Sequence, residues 1–204
     1  KRRVLPVIIR LARETDIPVS IDTTKAAVAQ EAIAAGAAMV NDISGLRFDD
    51  QMAKIIAQAA VPVCLMHTRG KPKIMQQAAQ YTDLMEEIIS YLEGGLAIAT
   101  NAGILSEKII VDPGLGFGKT AAQNLEIIAR LRELKVLGRP LLIGPSRKSF
   151  IGQTLDLPVA EREEGTAAAV TAAIVKGADL VRVHDVKKMS RVVKLTDAIV
   201  RRGK

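Results

Sequence analysis

A chain of 204 residues is long enough for one sizeable core, and no low-complexity or Pro/Ser-rich stretch interrupts it, so a single domain over residues 1–204 is expected. With 49% hydrophobic but only 2% aromatic residues, that core must be built from Ala, Ile, Leu and Val, which suits helices on buried parallel strands and argues against an all-β sandwich. The net charge of +7 does not mark a nucleic-acid surface: Lys1, Arg2, Arg3, Arg201, Arg202 and Lys204 supply six of those charges from the two ends, basic ends are usually just solvated, and aromatics for base stacking are scarce.

In chain order, Val4–Thr15 places apolar residues at helical spacing with Pro6 in the first turn, so the chain opens on a helix. Pro18 breaks it, and a strand near residues 19–22 ends at Asp22. Thr23 and Thr24 can cap the Ala-rich helix Lys25–Ala35, which Gly36 stops. A strand near 38–41 closes on Asn41 and Asp42, and Phe48–Ala60 reads as the third helix. The buried run near 62–66 ends at Met66, with His67, Thr68 and Arg69 beyond it, and leads into a Gly/Pro/Lys loop. Tyr81–Thr100 is the longest helix. Strands follow near 109–112, 141–144 and 180–184, with helices over about 121–134, 161–176 and 189–200. Cys64 sits inside VPVCLM and reads as core, so disulfides, CxxC redox chemistry and a structural zinc have no support. No apolar run approaches the roughly 18 residues that span a bilayer, and the N-terminus shows no signal-peptide pattern, so neither a membrane nor export is expected, and a soluble cytoplasmic protein is.

Strand-then-helix alternation with short connections requires a parallel sheet with right-handed crossovers. Polar groups stand at nearly every strand end: Asp22, Asn41, His67, Asp112, Lys148, and Arg182 with His184. An open doubly wound sheet uses mainly its switch point, whereas a (β/α)8 TIM barrel brings all strand C-termini to one mouth, so the barrel is the expected fold. Only six strands are legible against the eight of a barrel of about 250 residues, and an incomplete barrel, with two strands expected before Lys1, follows.

Three stretches carry candidate chemistry. DPGLGFGKT at Asp112–Thr120 approaches a P-loop, but Gly114 to Gly118 leaves three intervening residues where four are needed, so it reads as a ligand-shaped turn supporting Asp112. In GPSRKSFIG, Lys148 and Ser149 fall near a helix start, where backbone N–H groups favour an anion. In LVRVHDV, Arg182 and His184 stand two apart on a strand, hence on one face, and make an anion site. Asp22, Asn41 and Asp112 add acceptors and an amide. They fit a ligand rich in N–H donors at least as well as a metal, because no tight ligand spacing exists within any one strand. The roles of His67 and Arg69 stay open.

SIDTTK, VNDISG, LMHTRG, DPGLGFGK, IGPSRKSFIG and RVHDV together resemble, in order and over essentially the whole chain, the dihydropteroate synthases of the pterin-binding enzymes. The resemblance implies a folate-pathway transferase that joins 4-aminobenzoate to 6-hydroxymethyl-7,8-dihydropterin diphosphate, releasing pyrophosphate and 7,8-dihydropteroate. It implies pterin binding by Asp22, Asn41, Asp112 and Lys148, with Ile43, Met66 and Gly144 lining the slot. It further implies that Phe117 and Ser149 belong to the aminobenzoate pocket, where sulfonamides also bind, and Arg182 and His184 to the pyrophosphate site, with Lys148, Arg182 and His184 as the catalytic set. Mg2+ is implied with the diphosphate, its protein ligand an Asn expected before Lys1 and none within this sequence, and a homodimer through the later Ala-rich helices is implied as well. A corrinoid-linked methyltetrahydrofolate methyltransferase and a non-catalytic or truncated pterin-binding barrel remain as alternatives.

Overall fold

The computed structural model describes residues 1–70 and 80–201. The Gly/Pro/Lys loop after Arg69 lies mostly outside the described residues, as do Arg202 and Lys204 of the basic C-terminal end. Strands and helices alternate in the order α1 Leu5–Glu14, β1 Ser20–Asp22, α2 Ala26–Ala34, β2 Met39–Asp42, α3 Met52–Ala59, β3 Val63–Met66, α4 Leu84–Asn101, β4 Ile109–Asp112, α5 Ala121–Ala129, β5 Leu142–Ile143, α6 Ser149–Leu155, α7 Glu163–Val175, β6 Leu180–Val181 and α8 Val186–Val200. Every pairing is parallel, in a four-stranded sheet ordered β1-β2-β3-β4 and a two-stranded sheet β5-β6, so the ladders of the described residues do not close into one ring. The chain divides into two compact units, Lys1–His67 with Ser90–Asp112, and Thr68–Ile89 with Pro113–Lys204.

In the first unit, Val40, Val63, Leu65, Ile109 and Val111 are fully buried on the strands, and Ala29, Ala32, Ile56 and Ala99 bury the inward faces of the helices. Small residues let the backbone come close: a side chain at Gly36, whose φ is +108°, would meet the Ala12 Cβ at 2.6 Å. Asp49 fixes two helix starts at once. One carboxylate oxygen accepts from Ala26 N–H at 2.8 Å at the head of α2, and the other accepts from Gln51 N–H at 3.1 Å. Residues 48–51 are thereby committed to a capping turn, and α3 begins at Met52 rather than at the expected Phe48.

The second unit has its core at Leu115, Ile127, Leu131, Leu134, Ile143, Phe150, Val170 and Ala173. Thr120 and Gln123 form a reciprocal capping box that starts α5 where expected. The helix expected through Leu134 instead gives way at Arg130 to 3-10 turns over Leu131–Leu137. Asp185 accepts from Lys188 N–H at 3.0 Å and starts α8 at Val186, three residues before the expected Met189. Helices α6 and α7 pack closely at Gly165, where an added Cβ would lie 2.4 Å from Ile151 Cγ2 and 3.0 Å from Leu155 Cδ1. Gly165→Val is therefore expected to destabilise the protein by about 1–3 kcal/mol despite a helix-propensity gain of under about 1 kcal/mol. A denaturant midpoint that does not fall would show that the two helices can part at no cost.

Candidate active site

The ladder register of the first unit decides which side chains share a face. Asp22 is opposite Asn41, Asn41 opposite Cys64 and Cys64 opposite Ile110, so these four make one row. Two residues further on, Met66 is opposite Asp112. Side chains alternate with period two, so Asp22, Asn41, Met66 and Asp112 lie on one face of the sheet, near its C-terminal edge. Ile43, the first residue beyond β2, is half-buried and continues the same parity. Asn41 Nδ2 donates to Asp22 Oδ1 at 2.7 Å, which fixes the amide and leaves its carbonyl oxygen as an acceptor. Asp112 is 7% exposed, and its carbonyl oxygen accepts from His67 N–H at 2.8 Å, carrying the ladder one residue past β3.

Asp42 has the opposite parity and a different task. It accepts from Ser44 N–H at 2.8 Å, Ser44 Oγ at 2.7 Å and Leu46 N–H at 3.1 Å, and so winds the turn after β2. Burial pushes its carboxyl above the usual range, the Ser44 and Leu46 hydrogen bonds offsetting part of that rise. Behind the turn, Tyr91 Oη donates to Ser44 O at 2.7 Å, and Arg47 stacks on the Tyr91 ring at 3.8 Å while donating to Tyr91 O at 2.6 Å. Glycine at positions 94 and 95 makes room for that guanidinium. His67 is buried, its ring edge-on to Tyr91 at 4.8 Å. That packing gives His67 a structural part.

In the second unit the turn after β4 bends at three alternating glycines, Gly114, Gly116 and Gly118, all with φ between +63° and +78°. Lys119, at the place of a phosphate-binding lysine, is 8% exposed and donates to Gly114 O at 2.9 Å and Phe117 O at 3.0 Å, so its charge is spent on holding the turn. Asn124 Oδ1 accepts from Gly116 N–H at 2.7 Å. The sequence's near miss to a P-loop is thus a structural miss as well. Lys148 lies along this turn: its Nζ donates to Leu115 O and stands 4.8 Å from the Phe117 ring centre, while its Cδ would be 3.2 Å from a Cβ at Gly116. Phe117 and Lys148, predicted separately, are brought together. Ser149 opens α6 with Lys148 as the residue before it, the helix start the sequence suggested, and is exposed.

Strand β6 stops at Val181, so the strand alternation expected over 180–184 does not govern Arg182 and His184. The pairing survives in another form. Arg182 N–H donates to Ile143 O at 2.9 Å, which sets Arg182 beside Gly144, 3.8 Å from where a Cβ would be. Two residues on, Ser146 Oγ accepts from His184 N–H at 3.2 Å and lies 2.8 Å from His184 Nδ1. The Ser146 hydroxyl thus orients the imidazole through its contact with Nδ1. Asp42, Lys119 and Ser146 were not singled out from the sequence. The Asp-x-Ser spacing of Asp42 and Ser44 was the signal available for the first. Among the described residues no three His, Cys, Asp or Glu side chains cluster so as to hold a metal ion.

The model of the pterin binding enzymes matches residues 1–184. A dihydropteroate synthase of Clostridium beijerinckii is 52% identical over 201 residues, covering 98% of this chain and 72% of that protein. The chain belongs to the dihydropteroate synthases of the pterin-binding enzyme family. A solved dihydropteroate synthase of Clostridium difficile, crystallised in the presence of pteroic acid, superposes with a TM-score of 0.93 at 46% identity over 98% of this chain and 74% of that one. The enzyme of Thermus thermophilus, solved in complex with 6HMPPP, gives 0.92 at 38% identity over 98% and 78%, and it has also been solved in complex with 4-aminobenzoate. The fold is the family's TIM barrel, with six strands among the described residues. Among the described residues no helix is long and apolar enough to cross a membrane.

Proposed function

We propose that this chain is a transferase of folate biosynthesis that condenses 6-hydroxymethyl-7,8-dihydropterin diphosphate with 4-aminobenzoate. The amine lone pair attacks the methylene carbon, and the C–O bond breaks with its electron pair leaving on pyrophosphate. The amine then gives up one proton and 7,8-dihydropteroate is formed. The observation that carries this reading is the single sheet face holding Asp22, Asn41 and Asp112 with Met66. Acceptors on that face suit the pterin's amino and ring N–H groups, and a carboxylate takes two adjacent N–H groups as it takes an arginine fork. Ile43 and Met66 supply apolar cover to the ring. In the second unit, Arg182 beside Gly144 and the Ser146-oriented His184 would take the diphosphate and stabilise the charge that grows on the leaving group. Phe117 and Ser149 serve the aminobenzoate side, and Lys148, against the Phe117 ring, is the further pterin-binding group.

Mg2+ enters the proposal only as a companion of the diphosphate oxygens. The described residues offer no three-carboxylate or histidine set of their own, and Mg2+ characteristically rides on substrate phosphates with most of its waters retained. A homodimer is proposed on the open apolar groove of about 380 Å3 lined by Leu125, Phe150, Ile151, Leu155, Ala168 and Ala172, where small residues on α7 admit close approach of a second copy. Sedimentation equilibrium that returns a monomer at micromolar concentration contradicts it. We place the enzyme in the cytoplasm, consistent with its one cysteine, Cys64, being a buried thiol. The catalytic reading is tested by pyrophosphate release in the presence of Mg2+. One pyrophosphate per dihydropteroate is expected, only when both substrates are supplied. Release that ignores 4-aminobenzoate contradicts the condensation.

A further inference from the structure

The turn that carries Phe117 is held by Lys119, Asn124, Lys148 and Tyr81, and Tyr81 comes from the far side of β4 in sequence. Tyr81, just before α4, donates its hydroxyl to Gly118 O at 3.0 Å. Gly118 is in the left-handed region at φ +63° and follows Phe117 directly, so its carbonyl orientation and the Phe117 backbone are set together. Tyr81 is itself braced. The Arg69 guanidinium stacks on its ring at 4.4 Å, and Arg69 Nη1 pairs with Glu87 Oε2 at 2.6 Å. Glu87 Oε1 then accepts from Thr82 N–H at 2.7 Å, closing the brace onto the residue after Tyr81. The Thr82 hydrogen bond, foremost, and Arg69 hold the Glu87 carboxyl below its ordinary range, which keeps it charged for both contacts. Burial pushes the Tyr81 phenol up to about 12, so it remains an O–H donor.

We propose that Tyr81 is a positioning residue for 4-aminobenzoate: its hydroxyl, braced by Arg69 and Glu87, holds the Gly118 carbonyl and thereby the Phe117 ring in the orientation that receives the amine substrate. This rests on the reading of Phe117 as part of the aminobenzoate pocket. The brace also gives Arg69 a part: it acts through Tyr81 and Glu87.

The test uses Tyr81→Phe, which keeps the ring under Arg69 and removes the hydroxyl with its hydrogen bond to Gly118 O. The expected result is a KM for 4-aminobenzoate raised about fivefold or more, with the pterin diphosphate affinity unchanged in a calorimetric titration. Amide hydrogen exchange over residues 113–119 is expected to quicken about threefold or more. An unchanged KM with unchanged exchange overturns the inference, as does a loss that falls equally on the affinities for both substrates, since that is what a merely structural residue would give. Faster exchange with an unchanged KM shows that Tyr81 holds the turn but does not position the substrate, and also overturns it. If the unsubstituted enzyme releases no pyrophosphate at all, the functional reading fails, and the exchange comparison still decides whether Tyr81 holds the turn.

Discussion

Asp112→Asn is expected to lower the affinity for the pterin diphosphate about ten- to hundredfold. Asp112 is 7% exposed at the end of β4, with its backbone fixed by the ladder bond from His67. The substitution keeps the shape and replaces one acceptor oxygen by a donor NH2, so one pterin N–H meets another donor at a buried position. A buried mismatch of this kind costs about 1–3 kcal/mol, and each 1.4 kcal/mol is about tenfold in Kd. Titration calorimetry measures the change directly. An affinity within about twofold of the original would remove Asp112 from the pterin site, because the mismatch energy would then be absent.

Arg182→Ala is expected to lower kcat for pyrophosphate release about a hundredfold, with a smaller effect on pterin binding. The Arg182 backbone is set by its N–H bond to Ile143 O beside Gly144, and a guanidinium is a planar fork suited to phosphate oxygens. Charge on those oxygens grows as the C–O bond breaks, so the interaction strengthens in the transition state, and losing one such donor typically costs about 10²–10³ in kcat. Arg182→Lys keeps the charge but loses the fork and should recover only part of the rate. If Arg182→Ala raises KM for the diphosphate while kcat stands, Arg182 serves ground-state binding alone.

Much of this arrangement is legible in the residues, for identifiable reasons. The strands ending at Asp22, Asp42, Met66 and Asp112 were placed within a residue because buried parallel strands are unbroken apolar runs that stop at polar residues. Where the reading went astray, side-chain hydrogen bonds or a different period had taken over. Leu131, Leu134 and Leu137 recur every three residues and are all buried, the period of a 3-10 helix, and merging them with α5 carried that helix too far. Strand β6 ends early because past Arg182 the ladder is replaced by the Ser146 hydroxyl, which accepts from His184 N–H. Asp49, by holding Gln51 N–H in the turn before α3, and Asp185, as the cap of α8, reset the starts of those helices. The part of Lys119 was not legible, because only the geometry reveals that it donates to Gly114 O and Phe117 O.

The central claim is that the amine nitrogen of 4-aminobenzoate displaces pyrophosphate at carbon. It is tested most directly with pterin diphosphate carrying 18O at the oxygen that bridges the methylene carbon and the first phosphorus, and with 4-aminobenzoate carrying 15N in its amine. The account predicts 15N in the dihydropteroate and the 18O wholly in the pyrophosphate, as read by mass spectrometry of the two products. Recovery of 18O in a free hydroxymethyl pterin, with 15N still in unreacted 4-aminobenzoate, would mean that the P–O bond is cut by water and would contradict it.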